Sequence, residues 1–261
     1  MTATRSSSIE LVDGLSVIRR RADGPTVVFV HGAMDRATSF GRVMRRLPEL
    51  DTIALDRRGY AGSLDAGVAP TIAAHAEDVR TVVEWSGAEQ VVVVGHSLGG
   101  RIALRLAQER DPRVVAVAAF EAPAPDLDGS RDRVGAGAIE VGLTDGPEAA
   151  AEHFYRRMVG EDTWARIRDR DRAARRAEGP ALLAELLDLR DGTDDLQPAA
   201  IEVPVAIGVG ARSGGELRRG AHVLADHLPH ATFTELANAG HGAHLTHPDD
   251  FARYVTATVP R

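Results

Sequence analysis

The stretch best suited to chemistry is Gly95-His96-Ser97-Leu98-Gly99-Gly100. Four valines, Val91 to Val94, precede it and read as a buried strand; Arg101 to Ala107 reads as a helix. A sharp strand-to-helix turn between them forces Ser97 into a strained backbone conformation, and Gly95 and Gly99 leave room for it. Such a turn lifts the hydroxyl clear of the sheet. It also aims the first N–H groups of the helix at negative charge forming there. Gly-x-Ser-x-Gly arises often by chance, and the strand before with the helix after sets this one apart. A serine hydroxyl is a weak nucleophile until a base takes its proton. The ten histidines supply candidates that titrate near neutrality.

Composition narrows the chemistry. There is no cysteine, which excludes disulfides, thiolate nucleophiles and cysteine–metal sites. The 31 basic and 38 acidic residues give a net charge of -7, with no long basic run, so nucleic acid is not an expected partner. Met1 to Arg5 lacks an apolar signal core and no apolar run approaches a membrane span, so a soluble cytoplasmic protein with no membrane partner is the expectation. At 261 residues the chain suits one large α/β domain with a small insertion. A monomer and a homodimer both stay open.

The elements that must position Ser97 follow from hydrophobic patterning. Ile9 to Val12 and Leu15 to Arg20 read as strands joined by Asp13-Gly14, a hairpin signal. Pro25 to Val30 is the first buried strand and leads into His31-Gly32-Ala33-Met34-Asp35. A helix is predicted over Ser39 to Leu47, a strand over Asp51 to Leu55, and a helix capped by Thr71 running to about Ser86. After the Ser97 helix comes a strand, Val114 to Phe120. Strands alternating with helices argue a mostly parallel sheet covered on both faces, with ligands beyond the C-terminal strand ends. His31, Asp56, Ser97 and Glu121 all fall there.

The rhythm breaks from about Ala124 to Ala200, where no strand is predicted. Helices are expected over Asp132 to Val141, Pro147 to Val159, Asp162 to Glu178 and Pro180 to Leu189. This divides the chain into a core of residues 1–123, a helical lid of 124–200 and a second core part of 201–261. Most large apolar residues of the insertion read as packing. Phe154, Met158 and Trp164 are its candidates for lining a substrate pocket. Strands resume over Val203 to Val209 and Ala231 to Leu236, with helices over Glu216 to Leu228 and from Asp249 or Asp250 onward.

His31-Gly32, Asp56-Arg57-Arg58-Gly59-Tyr60, Gly95-His96-Ser97-Leu98-Gly99-Gly100 and Gly240-His241, in that order, resemble the α/β-hydrolase fold family in its small lid-bearing branch. The resemblance covers nearly all of the chain from Ile9 onward. It implies an α/β-hydrolase fold, with Ser97 as nucleophile and His241, after the last strand, as base. It also implies an oxyanion hole from the N–H of Leu98 and that of Ala33 or, by a small register shift, Met34. His31, Gly32 and His244 join the candidates for the pocket, and His96 reads as structural. Arg57 and Arg58 read as salt-bridge partners.

The acid departs from the family pattern. Ser213 stands where an aspartate is expected, and a serine cannot compensate an imidazolium charge. Some members carry the acid after the strand that follows the nucleophile helix, which here is Glu121; Glu216 and Asp226 are the alternatives. His241, His244 and His247 recur every third residue, as in a metal-ligand tract, but they sit in a glycine-containing loop without His-Glu-x-x-His. No metal and no cofactor is expected, and no Gly-x-Gly-x-x-Gly follows a first strand. The leading expectation is a serine hydrolase acting on a small or medium ester, thioester or lactone. A carbon–carbon bond hydrolase, lyase or acyltransferase on the same fold, and a non-catalytic small-molecule binding protein, are the alternatives.

Overall fold

The computed structural model describes residues 7–133, 135–192 and 196–260. Met1 to Arg5, read above as lacking an apolar signal core, lies outside them. Eight strands form one sheet: β1 (Ser8–Val12), β2 (Leu15–Arg20), β3 (Thr26–Val30), β4 (Asp51–Leu55), β5 (Val91–His96), β6 (Val114–Phe120), β7 (Val205–Gly210) and β8 (Ala231–Leu236). Their order is β1-β2-β4-β3-β5-β6-β7-β8. β1 and β2 pair antiparallel, β2 pairs antiparallel with β4, and the remaining neighbours are parallel.

The valine run of β5 is continuous because both faces of the sheet are covered. Val91 and Val93 pack into one apolar cluster with Val28, Val30 and Ile102; Val92 and Val94 pack into another with Phe29, Phe40 and Phe251. Thr71 caps its helix as expected: its hydroxyl accepts from Ala74 N at 3.1 Å, and the helix spans Ile72–Ser86. The predicted Ser39–Leu47 helix is shorter and tighter, a 3-10 turn at Ala37–Phe40 followed by Gly41–Met44.

Between β6 and β7 lies a helical insertion, with no strand among its described residues. Its main helices are Ala136–Asp145, Pro147–Val159, Glu161–Arg166, Asp169–Ala177 and Gly179–Asp191. One helix predicted over Asp162 to Glu178 is therefore two, broken at Ile167, whose backbone is extended. The break lets Trp164, 4 % exposed, tuck against Tyr155 and under the guanidinium groups of Arg172 and Arg176. The insertion packs on the loops after β3 and β4 through a third cluster, in which Met34 and Tyr60 meet Ile139, Ala151 and Leu182. Among the described residues no helix is long and apolar enough to cross a membrane.

Candidate active site

Ser97 sits between the last residue of β5 and the first of the Leu98–Gln108 helix, with φ 53° and ψ -125°. An L-residue pays for such a conformation, and it persists only where its surroundings fix it. Here the turn is too tight for side chains on either flank. A Cβ on Gly95 would lie 2.1 Å from the carbonyl oxygen of Gly99, and one on Gly99 would lie 2.1 Å from that of Val30. Ser97 N donates to Phe120 O at 2.8 Å, which ties the turn to β6.

Glu121 follows β6 directly and is 1 % exposed. It too has a positive φ, 49°. The imidazole of His241 donates from Nδ1 to Glu121 Oε2 at 2.5 Å. Oε1 of the same carboxylate accepts from Gly210 N at 2.7 Å and from the Ser213 hydroxyl. The end of β7 thus supplies donors rather than a charge. Glu216, the alternative acid, is exposed and lies 3.4 Å from Arg133, and Asp226 is exposed on its helix. His96 donates from Nε2 to the His241 carbonyl at 2.7 Å, holding the base-bearing loop.

The loop after β3 approaches the serine closely: a Cβ on Gly32 would lie 2.9 Å from that of Ser97. Its carbonyls are held from below. Arg57 Nε donates to His31 O at 3.0 Å, and Nη2 donates to Gly32 O at 3.1 Å. His31 accepts from Arg57 N on Nε2 at 2.9 Å, so its proton sits on Nδ1, which donates to Gly32 O at 2.7 Å. Burial, then Arg57, pushes the His31 pKa down to about 3, so it stays neutral. In a trans peptide the C=O and N–H point in opposite directions, so gripping Gly32 O turns Ala33 N–H the other way. Among the described residues neither Ala33 N–H nor Leu98 N–H has an internal acceptor.

Arg57 is itself anchored to the insertion. Its Nη1 donates to Glu185 Oε2 at 2.7 Å, and Tyr60 donates to Glu185 Oε1 at 2.6 Å. Burial alone would raise the Glu185 carboxyl; Arg57, with His75, outweighs it and holds the pKa down to about 2. Arg58 pairs with Asp78 at 2.6 Å. Asp56 accepts from Ala37 N at 2.7 Å and Gly62 N at 3.1 Å, shaping its loop.

A model of the alpha/beta hydrolase family matches residues 27–254. The chain belongs to that family. It is 36% identical over 146 residues to "Lipase LipV" of Mycobacterium tuberculosis, a match spanning 54% of this chain and 55% of the lipase. It is 27% identical over 249 residues to 2-succinyl-6-hydroxy-2,4-cyclohexadiene-1-carboxylate synthase of Serratia proteamaculans, covering 88% of this chain and 91% of that one. The enol-lactonase of Burkholderia xenovorans LB400 shares the fold with a TM-score of 0.71 at 20% identity, over 96% of this chain and 99% of that one. The relatives bearing lipase and esterase names support an enzyme of the hydrolase kind.

In this alpha/beta hydrolase the other pocket candidates have varied surroundings. His31 is fully buried in the Arg57 network, as described above. His244 is 2 % exposed and donates from Nε2 to Asp35 at 3.1 Å. Met158 is 49 % exposed at the surface of the insertion, while Phe154 is half-buried against the Met34 cluster. Trp164 packs within the insertion. The histidine tract disperses: His241 goes to Glu121, His244 to Asp35 and His247 to the Thr246 hydroxyl at 2.9 Å. Asp35, His96 and His244 do bring ligand-type atoms within 4.8 Å of one another. Two of their contacts are already spent, His244 on Asp35 and His96 on the His241 carbonyl. Burial would raise the Asp35 carboxyl, but His244 outweighs that and holds it well below the usual carboxylate range.

The sequence offered Ser213 only as a missing acid, and its role as a donor to Glu121 emerges from the fold. Asp35 and Glu185 carried no signal: their partners lie 209 and 128 residues away.

Proposed function

We propose that this protein is a serine hydrolase that cleaves a small or medium acyl substrate, an ester, thioester or lactone, through an acyl-serine intermediate. The observation that carries the reading is the 2.5 Å bond from His241 Nδ1 to the buried Glu121, beside the strained Ser97 turn. That bond fixes the tautomer of His241, so that Nε2 is the atom with a free lone pair. Ser97 Oγ attacks the carbonyl carbon while His241 Nε2 takes its proton. Glu121 compensates the imidazolium charge, and the N–H of Leu98, with that of Ala33 or Met34, receives the developing oxyanion. His241 then gives the proton to the leaving group, and water, activated by the same imidazole, frees the acyl group.

Residues 124–200 serve as a lid, and the apolar meeting of Met34 with Ile139, Phe154 and Tyr155 favours an apolar group on the substrate. The reaction needs no cofactor, and the cytoplasm is its proposed compartment. A carbon–carbon bond hydrolase, lyase or acyltransferase on the same fold is the second reading, favoured by a relative named as a synthase, and not as an esterase, that aligns over 91% of its own length.

A fluorophosphonate probe should label Ser97, and a panel of p-nitrophenyl esters and acyl thioesters should show turnover lost in Ser97→Ala. No labelling, with unchanged ester turnover in Ser97→Ala, would sink the reading.

A further inference from the structure

Met34 has φ 56°, in the left-handed region that a side-chain-bearing residue rarely holds without outside support. The support comes from the helical insertion. Arg175, on the Asp169–Ala177 helix, donates from Nη1 to the Met34 carbonyl at 3.0 Å. The guanidinium is well fixed for this. The same Nη1 donates to Glu178 Oε2 at 3.1 Å, and the group lies over the Tyr155 ring, 4.8 Å from its centroid. Glu178 is 2 % exposed and also accepts from Arg36 Nη2 and Ala61 N, each at 3.2 Å.

The two candidate oxyanion donors after β3 therefore lie between two pinned carbonyls. Arg57 holds Gly32 O from the core side, and Arg175 holds Met34 O from the insertion. The plane that carries Met34 N–H hinges on the plane that carries Met34 O at a single Cα. With the second pin gone, Met34 is free to leave the left-handed region and turn the Ala33–Met34 peptide with it. Both guanidinium groups are in turn neutralised by insertion carboxylates, Glu185 and Glu178.

We propose that Arg175 is a positioning residue for the oxyanion hole, through which the insertion holds the donor loop in its reactive geometry. This rests on the serine-hydrolase reading and deepens it. A structural role alone would cost stability, or substrate affinity, with no preference for the transition state. A positioning role predicts a loss concentrated where the oxyanion forms.

The test compares Arg175→Ala with Arg172→Ala, a neighbour on the same helix that pairs with Asp169 and stacks on Trp164. The readouts are kcat and KM on one p-nitrophenyl ester, and the affinity of an alkyl boronic acid, whose adduct with Ser97 places an oxygen in the hole. Removing an oxyanion donor outright costs about 100- to 1000-fold in kcat elsewhere, so misplacing one should cost about 10- to 100-fold. Arg175→Ala should lose that factor in kcat and a similar factor in boronate affinity, with KM within about twofold of the wild type. Added guanidinium ion should restore part of both, and Arg172→Ala should match the wild type. Should Arg175→Ala not fold, Arg175→Met, which keeps the length of the side chain without a donor, carries the same comparison. Full kcat in the variant, or a change in KM with boronate affinity intact, overturns the proposal while wild-type turnover and the Ser97→Ala loss stand. A wild-type protein that neither binds boronate nor depends on Ser97 overturns the hydrolase reading and this proposal with it.

Discussion

Glu121 divides its work between its two oxygens. Oε2 meets the imidazole of His241, and Oε1 takes Gly210 N and the Ser213 hydroxyl. A buried carboxylate needs donors at both oxygens, because an unpaired polar group in a dry site is costly. Ser213 is therefore a donor to the carboxylate that follows the neighbouring strand. The sequence made Glu121 a candidate through its place after β6, yet could not show which carboxylate His241 meets, because that depends on where the loop after β8 lands. Ser213→Ala removes one donor and leaves Gly210 N. We expect kcat on an ester substrate to fall about three- to tenfold with KM steady, in line with about 1 kcal/mol for a hydrogen bond. A loss beyond a hundredfold, or none, would mean that Ser213 does not support Glu121 in this way.

At the scale of elements, legibility followed the strength of local signals. β4, β6 and β8 fall where alternation and β-branched residues put them, and Thr71 announces its helix by its side chain alone. The insertion was harder. Asp162 to Glu178 is a polar run with neither glycine nor proline, and it breaks because Trp164 finds cover only by folding back. Asp169 and Asp171, acidic residues in a new first turn, were the one local hint. Similarly, the loop after β8 contains a short helix, Ala243–Thr246, which turns His244 inward toward Asp35. Tertiary partners, and not intrinsic preference, decide both places.

Across the whole molecule, the helical insertion is joined to the core by buried ions rather than by apolar contact alone. Glu178, Glu185 and Asp188 follow a helical spacing that puts them on one face, where they meet Arg36, Arg57 and the N–H of Ile72. None of these pairings was readable from sequence, since each partner lies more than a hundred residues away. The arrangement makes stability depend on pH. The Glu185 pKa is held down to about 2 from 4.5, so its contribution is full above pH 4.5 and is lost as pH falls toward 2. His31 is held down to about 3 from 6.5, so the unfolded chain gains a proton that the folded one refuses, starting below pH 6.5. Both act in the same direction. Urea unfolding between pH 7 and pH 3 should show stability falling steadily, and Glu185→Gln, although less stable at neutral pH, should show a shallower fall below pH 4.5. Stability that is flat or rising as pH drops from 7 to 4 would contradict this account of the insertion.

The central claim is that Ser97, His241 and Glu121 act as one unit, with the acid on the strand next to the nucleophile. Steady-state turnover of Glu121→Gln and Glu216→Gln on one ester substrate tests it most directly. Replacing a triad carboxylate by its amide removes tautomer control and charge compensation, and costs about four orders of magnitude in a serine protease. We expect Glu121→Gln to lose roughly two to four orders in kcat with the fold intact, and Glu216→Gln to stay near wild type. Near-full activity in Glu121→Gln would contradict the claim.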